Sequence, residues 1–281
     1  MPEGRKPSRR TQRPAPGPRH PRSDSGTRGG GERDKQQRGR WDQNPTKGQS
    51  RHRSDRDKRG SSGDKDSGPI LHLDDDIVKE LRATSRPGKA EILIKVFAQA
   101  AGAFDAEDYD TAVALGEQSK HIALRSATIR ELLGLAYYRS EKWKEAAREL
   151  AAFKRLSGST EQNPVIADSY RAMGRPDKAL EIANEIDPRT VEPAVAYEGA
   201  IVGAGALADM KKLDEAIAHL EKLDLRPKTA EDHHLRAWYV LGDLLERNGR
   251  FTQARNWFEA VNGAGPELTD AGERLQRLRG R

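Results

Sequence analysis

Apolar side chains recur at helical spacing through most of the chain, but the pattern begins only near residue 69. An early apolar stripe lies between residues 77 and 81, directly behind the three aspartates 74–76. Such carboxylates offer cap oxygens and negative charge at a helix start. Because Pro87 interrupts the pattern, we predict a short helix over residues 75–84.

A longer period overlies the helical one. An alanine in the same local setting, just after a turn-forming or charged segment, recurs as Ala112, Ala146, Ala179, Ala216 and Ala254. The spacings are 34, 33, 37 and 38 residues. A period of this length predicts helix-turn-helix units stacked in an α-solenoid. The two longer steps indicate short insertions near 187–192 and 225–231.

The window from residue 234 to 266 carries the most complete unit. It contains Trp238, Leu241-Gly242, Gly249, Ala254, Phe258 and Pro266 in register. These positions resemble the W-x₂-L-G, A-x₃-F and closing P of the tetratricopeptide repeat, with Leu245 in place of the usual tyrosine. A second window repeats the pattern with Leu133-Gly134, Tyr137, Trp143, Ala146, Leu150 and Phe153.

This resemblance implies an all-α fold, a right-handed α-solenoid of about five tetratricopeptide-like repeats preceded by a disordered tail. Small residues would let the two helices of a unit approach closely. We expect a tail over 1–68, a capping helix and linker over 69–89, the repeat array over 90–266 and a C-terminal capping helix over 267–281. No single unit buries its apolar face, so the array is the stable body.

The expected tail differs from the body in composition and charge. Residues 1–68 contain only Met1 and Trp41 as large apolar side chains, and 19 Lys/Arg stand against 9 Asp/Glu, a net charge of +10. The remainder has a net charge of −4. A segment this poor in apolar residues cannot offset its ordering entropy, so we predict a disordered, basic tail rich in Arg, Gly, Ser and Pro.

Arg-Gly elements in the tail resemble those of disordered RNA-binding segments, where guanidinium groups meet phosphates and stack on bases. The candidate RNA contacts are Arg28, Arg38, Arg40, Trp41 and Arg59. A generic solubilising tail is the other interpretation of the same composition. A third hypothesis has residues 38–59 compete for the surface of the repeats.

Several classes of chemistry are excluded or disfavoured. Cysteine is absent, which excludes disulfides and thiolate metal sites. We expect no cofactor, since the glycine pattern at 203–208, although it matches a dinucleotide-binding G-x-G-x-x-A, lacks flanking strands and falls in a predicted helix. The acids between 105 and 110 lack the spacing of a calcium loop, and the adjacent His233-His234 pair should point to different helix faces. We therefore expect no metal site, no catalytic residues and no enzyme activity.

Targeting signals and membrane spans are also missing from the pattern. The arginine-rich start has no apolar core behind it, and the longest uncharged stretch, 199–208, is about half of the ~20 residues that span a bilayer. We expect a soluble, cytoplasmic protein without membrane contact.

The resemblance also implies a concave groove, lined by the first helix of each repeat, that holds a peptide or a partner helix. The family register places Phe97, Glu131, Tyr138, Asp168, Arg171, Ile201, Arg236, Tyr239 and Asp243 in this groove. The wider predicted lining is rich in acids, which favours a protein or peptide partner with basic and apolar character. The predicted function is a non-enzymatic interaction module or scaffold; the alternative is an RNA- or ribosome-associated factor that binds nucleic acid through residues 1–68.

Overall fold

The structure, a computed structural model, describes residues 73–266 and 269–280. The RNA-contact candidates, from Arg28 to Arg59, lie outside these described residues. Within them the chain forms α-helices and no strand, which confirms the predicted all-α class. The helices are α1 (Asp75–Thr84), α2 (Ala90–Asp105), α3 (Tyr109–Ile122), α4 (Ala127–Arg139), α5 (Trp143–Ser157), α6 (Asn163–Ala172), α7 (Pro176–Ala183), α8 (Pro193–Asp209), α9 (Leu213–Leu220), α10 (Asp232–Arg247), α11 (Phe251–Ala264) and α12 (Ala271–Leu278).

The turn inside each helix pair has one repeated geometry. A residue with φ between 57° and 77° sits in the turns that join α2–α3, α4–α5, α6–α7, α8–α9 and α10–α11. These residues are Glu107, Glu141, Gly174, Lys211 and Gly249. In each turn its amide donates to the carbonyl three residues earlier. The five turns therefore define five repeats, although only two of the turns use the glycine that a left-handed conformation favours.

The anchor alanines lie where the two helices of a repeat meet. All five have 0% exposed surface. The approach is close enough to exclude larger side chains at neighbouring positions: a Cβ on Gly134 would lie 2.6 Å from the Leu150 side chain, and one on Gly242 would lie 2.9 Å from the Phe258 ring. The small residues thus set the distance between the paired helices.

The second helix of each repeat packs against the first helix of the next repeat, and successive first helices also contact one another. Contacts join α2 to α4, α4 to α6, α6 to α8 and α8 to α10, so these five helices form one continuous surface, which we call the first-helix face. At the C-terminal end α12 packs on α11. At the other end α1, whose bounds are those of the predicted helix, packs on α2 and α4. Asp74 precedes α1, but its side chain makes no cap hydrogen bond.

Glycines in α8 serve helix packing. A Cβ on Gly199 would lie 2.3 Å from Ile186 Cδ1, and one on Gly203 would lie 2.9 Å from His219 Nε2. The G-x-G-x-x-A pattern sits inside one unbroken helix, Pro193–Asp209. The dinucleotide-binding alternative is therefore rejected, because that motif needs a strand and a tight turn before its helix.

Candidate functional site

The middle of the first-helix face carries a row of polar contacts that joins three helices. The hydroxyl of Tyr138 on α4 donates to Asp168 Oδ2 on α6 at 2.7 Å. Arg171, one turn along α6, donates to Asp168 Oδ1 at 3.2 Å and to Asp209 Oδ2 on α8 at 2.9 Å. Three of the residues predicted from the sequence thus lie together, and Asp209 is an additional member that the sequence did not indicate.

Arg171 crosses to α8 over a glycine. A Cβ on Gly205 would lie 2.7 Å from the Arg171 guanidinium carbon, so a larger residue there would displace the arginine. Half-buried Leu135 and Ile201 supply apolar surface on α4 and α8. The middle of the face therefore combines a charged row with apolar side chains, which is the composition of a protein-binding surface.

Repeats four and five are joined by a second ion pair. Arg236 on α10 donates to Glu198 Oε2 on α8 at 2.9 Å, and its other nitrogen lies 2.9 Å from Oε1. The Glu198 side chain is 9% exposed. Burial raises the pKa of Glu198 to about 7, Arg236 opposes that shift, and nearby Asp168 adds to it. This carboxylate is therefore a weak source of negative charge near neutral pH.

The shift at Glu198 predicts a pH-dependent stability. Its pKa is near 4.5 when unfolded and about 7 when folded, so the folded chain binds more protons between these values. The shift adds to the free energy of unfolding in full below pH 4.5. This stabilisation, at most about 3 kcal/mol, is lost as pH rises through about 7. Urea unfolding at pH 5 and pH 8 should show a smaller pH difference for Glu198→Gln than for the parent chain. The same substitution at exposed Glu221 should leave the difference unchanged.

The first end of the face is covered by the chain itself. Phe97 is 2% exposed and packs in one cluster with Leu73 and Leu81, which come from and around α1. The prediction that Phe97 lines an open groove is therefore wrong for this conformation. The helix α1, which the sequence predicts as a capping helix, packs on α2 and α4 and covers this position.

The C-terminal end of the first-helix face is also covered, here by α12 and the residue before it. Tyr239 is 7% exposed, and its hydroxyl donates to Asp270 Oδ1 at 2.5 Å, just before α12. Arg274 of α12 donates to Asp243 Oδ1 at 2.8 Å and to Glu246 Oε2 at 2.6 Å. Two predicted groove residues, Tyr239 and Asp243, thus hold the terminal helix in place, which leaves α4, α6 and α8 as the open part of the face.

A buried ionic cluster joins the first two repeats. Glu149 is 1% exposed and accepts from Lys120 at 3.2 Å, from Arg148 at 3.0 Å and from Arg130. Burial alone would raise the pKa of Glu149, but Arg130 and Lys120 outweigh it and hold the pKa below its usual range. This carboxylate thus has three cationic neighbours and links α5 to α3 and α4.

The adjacent histidines are closer than the sequence indicated. Their ring centroids lie 4.1 Å apart, and Tyr197 contacts both rings at 4.6 and 4.9 Å. The prediction that His233 and His234 point to different faces is wrong. His234 Nδ1 accepts from the amide of Glu231, so this ring caps the start of α10. The pair is part of helix capping and aromatic packing.

Two further kinds of site are missing from the described residues. Nowhere in 73–266 or 269–280 do three His, Asp or Glu side chains meet in a metal-binding group. Over the same residues, no helix is long and apolar enough to cross a membrane.

A family model and two solved structures are similar to parts of this chain. The tetratricopeptide repeat model matches residues 235–264, which span α10 and α11. None of the curated proteins matches the chain. Among solved structures, YrrB, described as a tetratricopeptide-repeat protein with an unusual peptide-binding site, shares 17% identity over 66% of this chain and 92% of its own, with a TM-score of 0.47. The tetratricopeptide-repeat domain of P58(IPK) shares 18% identity over 68% of this chain and 66% of its own, with a TM-score of 0.34.

The matched segment is the unit that the sequence motif singled out. Its turn geometry and its buried alanine recur in four other helix pairs of the same array. The described chain thus carries a tetratricopeptide repeat over residues 235–264, within an array of five helix pairs that share its turn geometry.

Proposed function

We propose that the chain is a non-enzymatic interaction module that binds a segment of another protein on the first-helix face, across α4, α6 and α8. The observation that carries this proposal is the open row of Tyr138, Asp168, Arg171 and Asp209, bordered by the half-buried Ile201. Tetratricopeptide-repeat proteins generally mediate protein–protein interaction. This surface has the polar and apolar groups that such binding needs.

The partner that suits this surface has basic and apolar side chains. The Asp209 carboxylate accepts from Arg171 but is still 42% exposed, and Glu161 is exposed at the entry to α6. Many other acids on the face already contact an arginine or tyrosine of the chain. The attraction for a cationic partner side chain is therefore confined to the neighbourhood of Asp209 and Glu161. A cationic residue of the partner would pair near these carboxylates while an apolar residue contacts Ile201.

A display library of short peptides, selected on the full chain, tests the proposal. For a selected peptide, Ile201→Asp should weaken binding at least about tenfold, since a charge would face the apolar part of the ligand. The control is Leu156→Asp, which places the same charge at a 37% exposed leucine near the end of α5. Fluorescence polarisation gives both dissociation constants.

An equal dissociation constant for the Ile201→Asp variant and the parent would contradict the proposal. So would peptides whose binding depends on Leu156 and ignores Ile201. Circular dichroism of both variants checks that the helices are retained.

A further inference from the structure

The helix α1 lies on the first-helix face but belongs to no repeat. It precedes the first helix pair and packs on α2 and α4, which are the first helices of repeats one and two. Its apolar side chains pack in one cluster with Phe97 of α2. From α1 and the residues just before it, this cluster takes Leu73, Ile77, Val78 and Leu81. One end of the face is thus occupied by a helix of the same chain.

A carboxylate of α1 contacts the first turn of α4. Glu80 accepts from the backbone amide of Ala127 at 2.7 Å, from that of Thr128 at 3.4 Å, and from the Thr128 hydroxyl. The first amides of a helix have no partner within the helix, and they favour a negative charge. The contact requires only a carboxylate at this place, so a glutamate of another helix can make it equally well.

The attachment of α1 does not involve the helix pairs themselves. Arg82 pairs with Glu91 of α2 at 3.1 Å, but the two side chains are 57% and 78% exposed, and such a pair contributes little. In the linker, the amide of Arg86 donates to the Ile122 carbonyl at 3.2 Å. A helix of ten residues is marginal without tertiary contacts, and Asp74 does not cap its start. The helix α1 can therefore leave the face without breaking a contact inside a repeat.

We propose that α1 is a replaceable occupant of this site, and that an amphipathic helix of a partner protein binds there in its place. The helix that fits has the pattern of residues 73–81, with apolar side chains at positions 1, 5, 6 and 9 and a glutamate at position 8. Its apolar stripe would contact Ile94, Phe97 and Leu132. Its glutamate would accept from the amides of Ala127 and Thr128. This site goes beyond the proposed function, since it takes a second partner segment of different chemistry.

Hydrogen exchange of the full chain tests whether α1 leaves the face while the repeats stay folded. The hydrogen-bonded amides of α1 should exchange at least about tenfold faster than those of α4. Equal protection in the two helices would overturn the inference, because the site would then open only when the array unfolds.

A labelled peptide of residues 73–86 measures binding to the site by fluorescence polarisation. In the parent chain, α1 competes at the high effective concentration of a linked segment, so the peptide should bind weakly. Leu81→Asp in the full chain places a charge at a 0% exposed position and releases α1. This variant should bind the peptide at least about tenfold more tightly than the parent. Ala83→Asp, the same charge at an exposed position of α1, should bind like the parent.

Changes in the peptide test its individual contacts. Leu81→Asp in the peptide should abolish binding to the Leu81→Asp chain. Glu80→Gln in the peptide should weaken binding at least about fivefold, because an amide brings no negative charge to the first turn of α4. Circular dichroism checks that the variant chain is folded. If it is not, Glu80→Ala in the full chain removes only the polar contact and should also raise the affinity for the peptide.

Three results would overturn the inference. The first two are a folded Leu81→Asp chain that does not bind the peptide, and equal peptide affinities of that variant and the parent. The third is a dimer of the parent in light scattering that Leu81→Asp abolishes, which would identify the occupant as α1 of a second copy. Selected peptides that depend on Ile201 test the proposed function separately, since Ile201 lies on α8 and this site lies on α2 and α4.

Discussion

Replacing Phe258 with alanine should lower the free energy of unfolding of the last repeat by about 3–5 kcal/mol. The Phe258 ring is 0% exposed and fills the space that Gly242 leaves open. It also lies 5.7 Å from the Tyr239 ring and 4.6 Å from the guanidinium of Arg274. The substitution would leave a cavity where α10, α11 and α12 meet.

Urea unfolding followed by circular dichroism measures the loss. Since repeats contact mainly their neighbours, hydrogen exchange should show it first in α10 and α11, with α4 and α5 little changed. The control is Glu259→Ala, at the exposed next position, which should stay within about 0.5 kcal/mol of the parent. Equal stability of the two variants would contradict the packing role assigned to Phe258.

Replacing Arg274 with alanine should cost about 3 kcal/mol and release α12 from the array. Arg274 is 6% exposed and contacts Asp243 and Glu246, whose side chains are 21% and 19% exposed. Without the guanidinium these two carboxylates would face each other with their main counter-charge removed. The hydrogen bond from Tyr239 to Asp270 would then be the main polar contact left at this end.

The same helix provides the control for Arg274. Arg277 is exposed, and its replacement by alanine removes an equal charge. Thermal unfolding should separate the two variants by several degrees, and amide exchange in α12 should rise only for Arg274→Ala. Matching melting curves and matching exchange would show that the buried ion pairs do not hold α12.

The helix pairs could be predicted because each one is a local structure. The two helices of a unit and the turn between them lie within about 34 residues, and small residues are needed wherever two helix backbones approach closely. The left-handed conformation in the turns was harder to predict from the sequence. Three of the five turns have Glu107, Glu141 or Lys211 at positive φ. A glycine at these positions would have indicated the left-handed conformation.

The candidate site could be predicted only in its middle. The family register brought Tyr138, Asp168 and Arg171 onto one surface, and the structure shows them in contact. Asp209 escaped prediction because it ends α8, where the register of a degenerate repeat carries little information.

The sequence by itself determined the period, the five repeats and the helices that form the first-helix face, because these follow from spacing along the chain. Tertiary structure alone decided which part of that face is open. The docking of α1 buries Phe97, and Arg274 of α12 engages Asp243. Neither contact leaves a periodic signal, since each joins residues of unrelated spacing whose positions depend on how the whole array stacks.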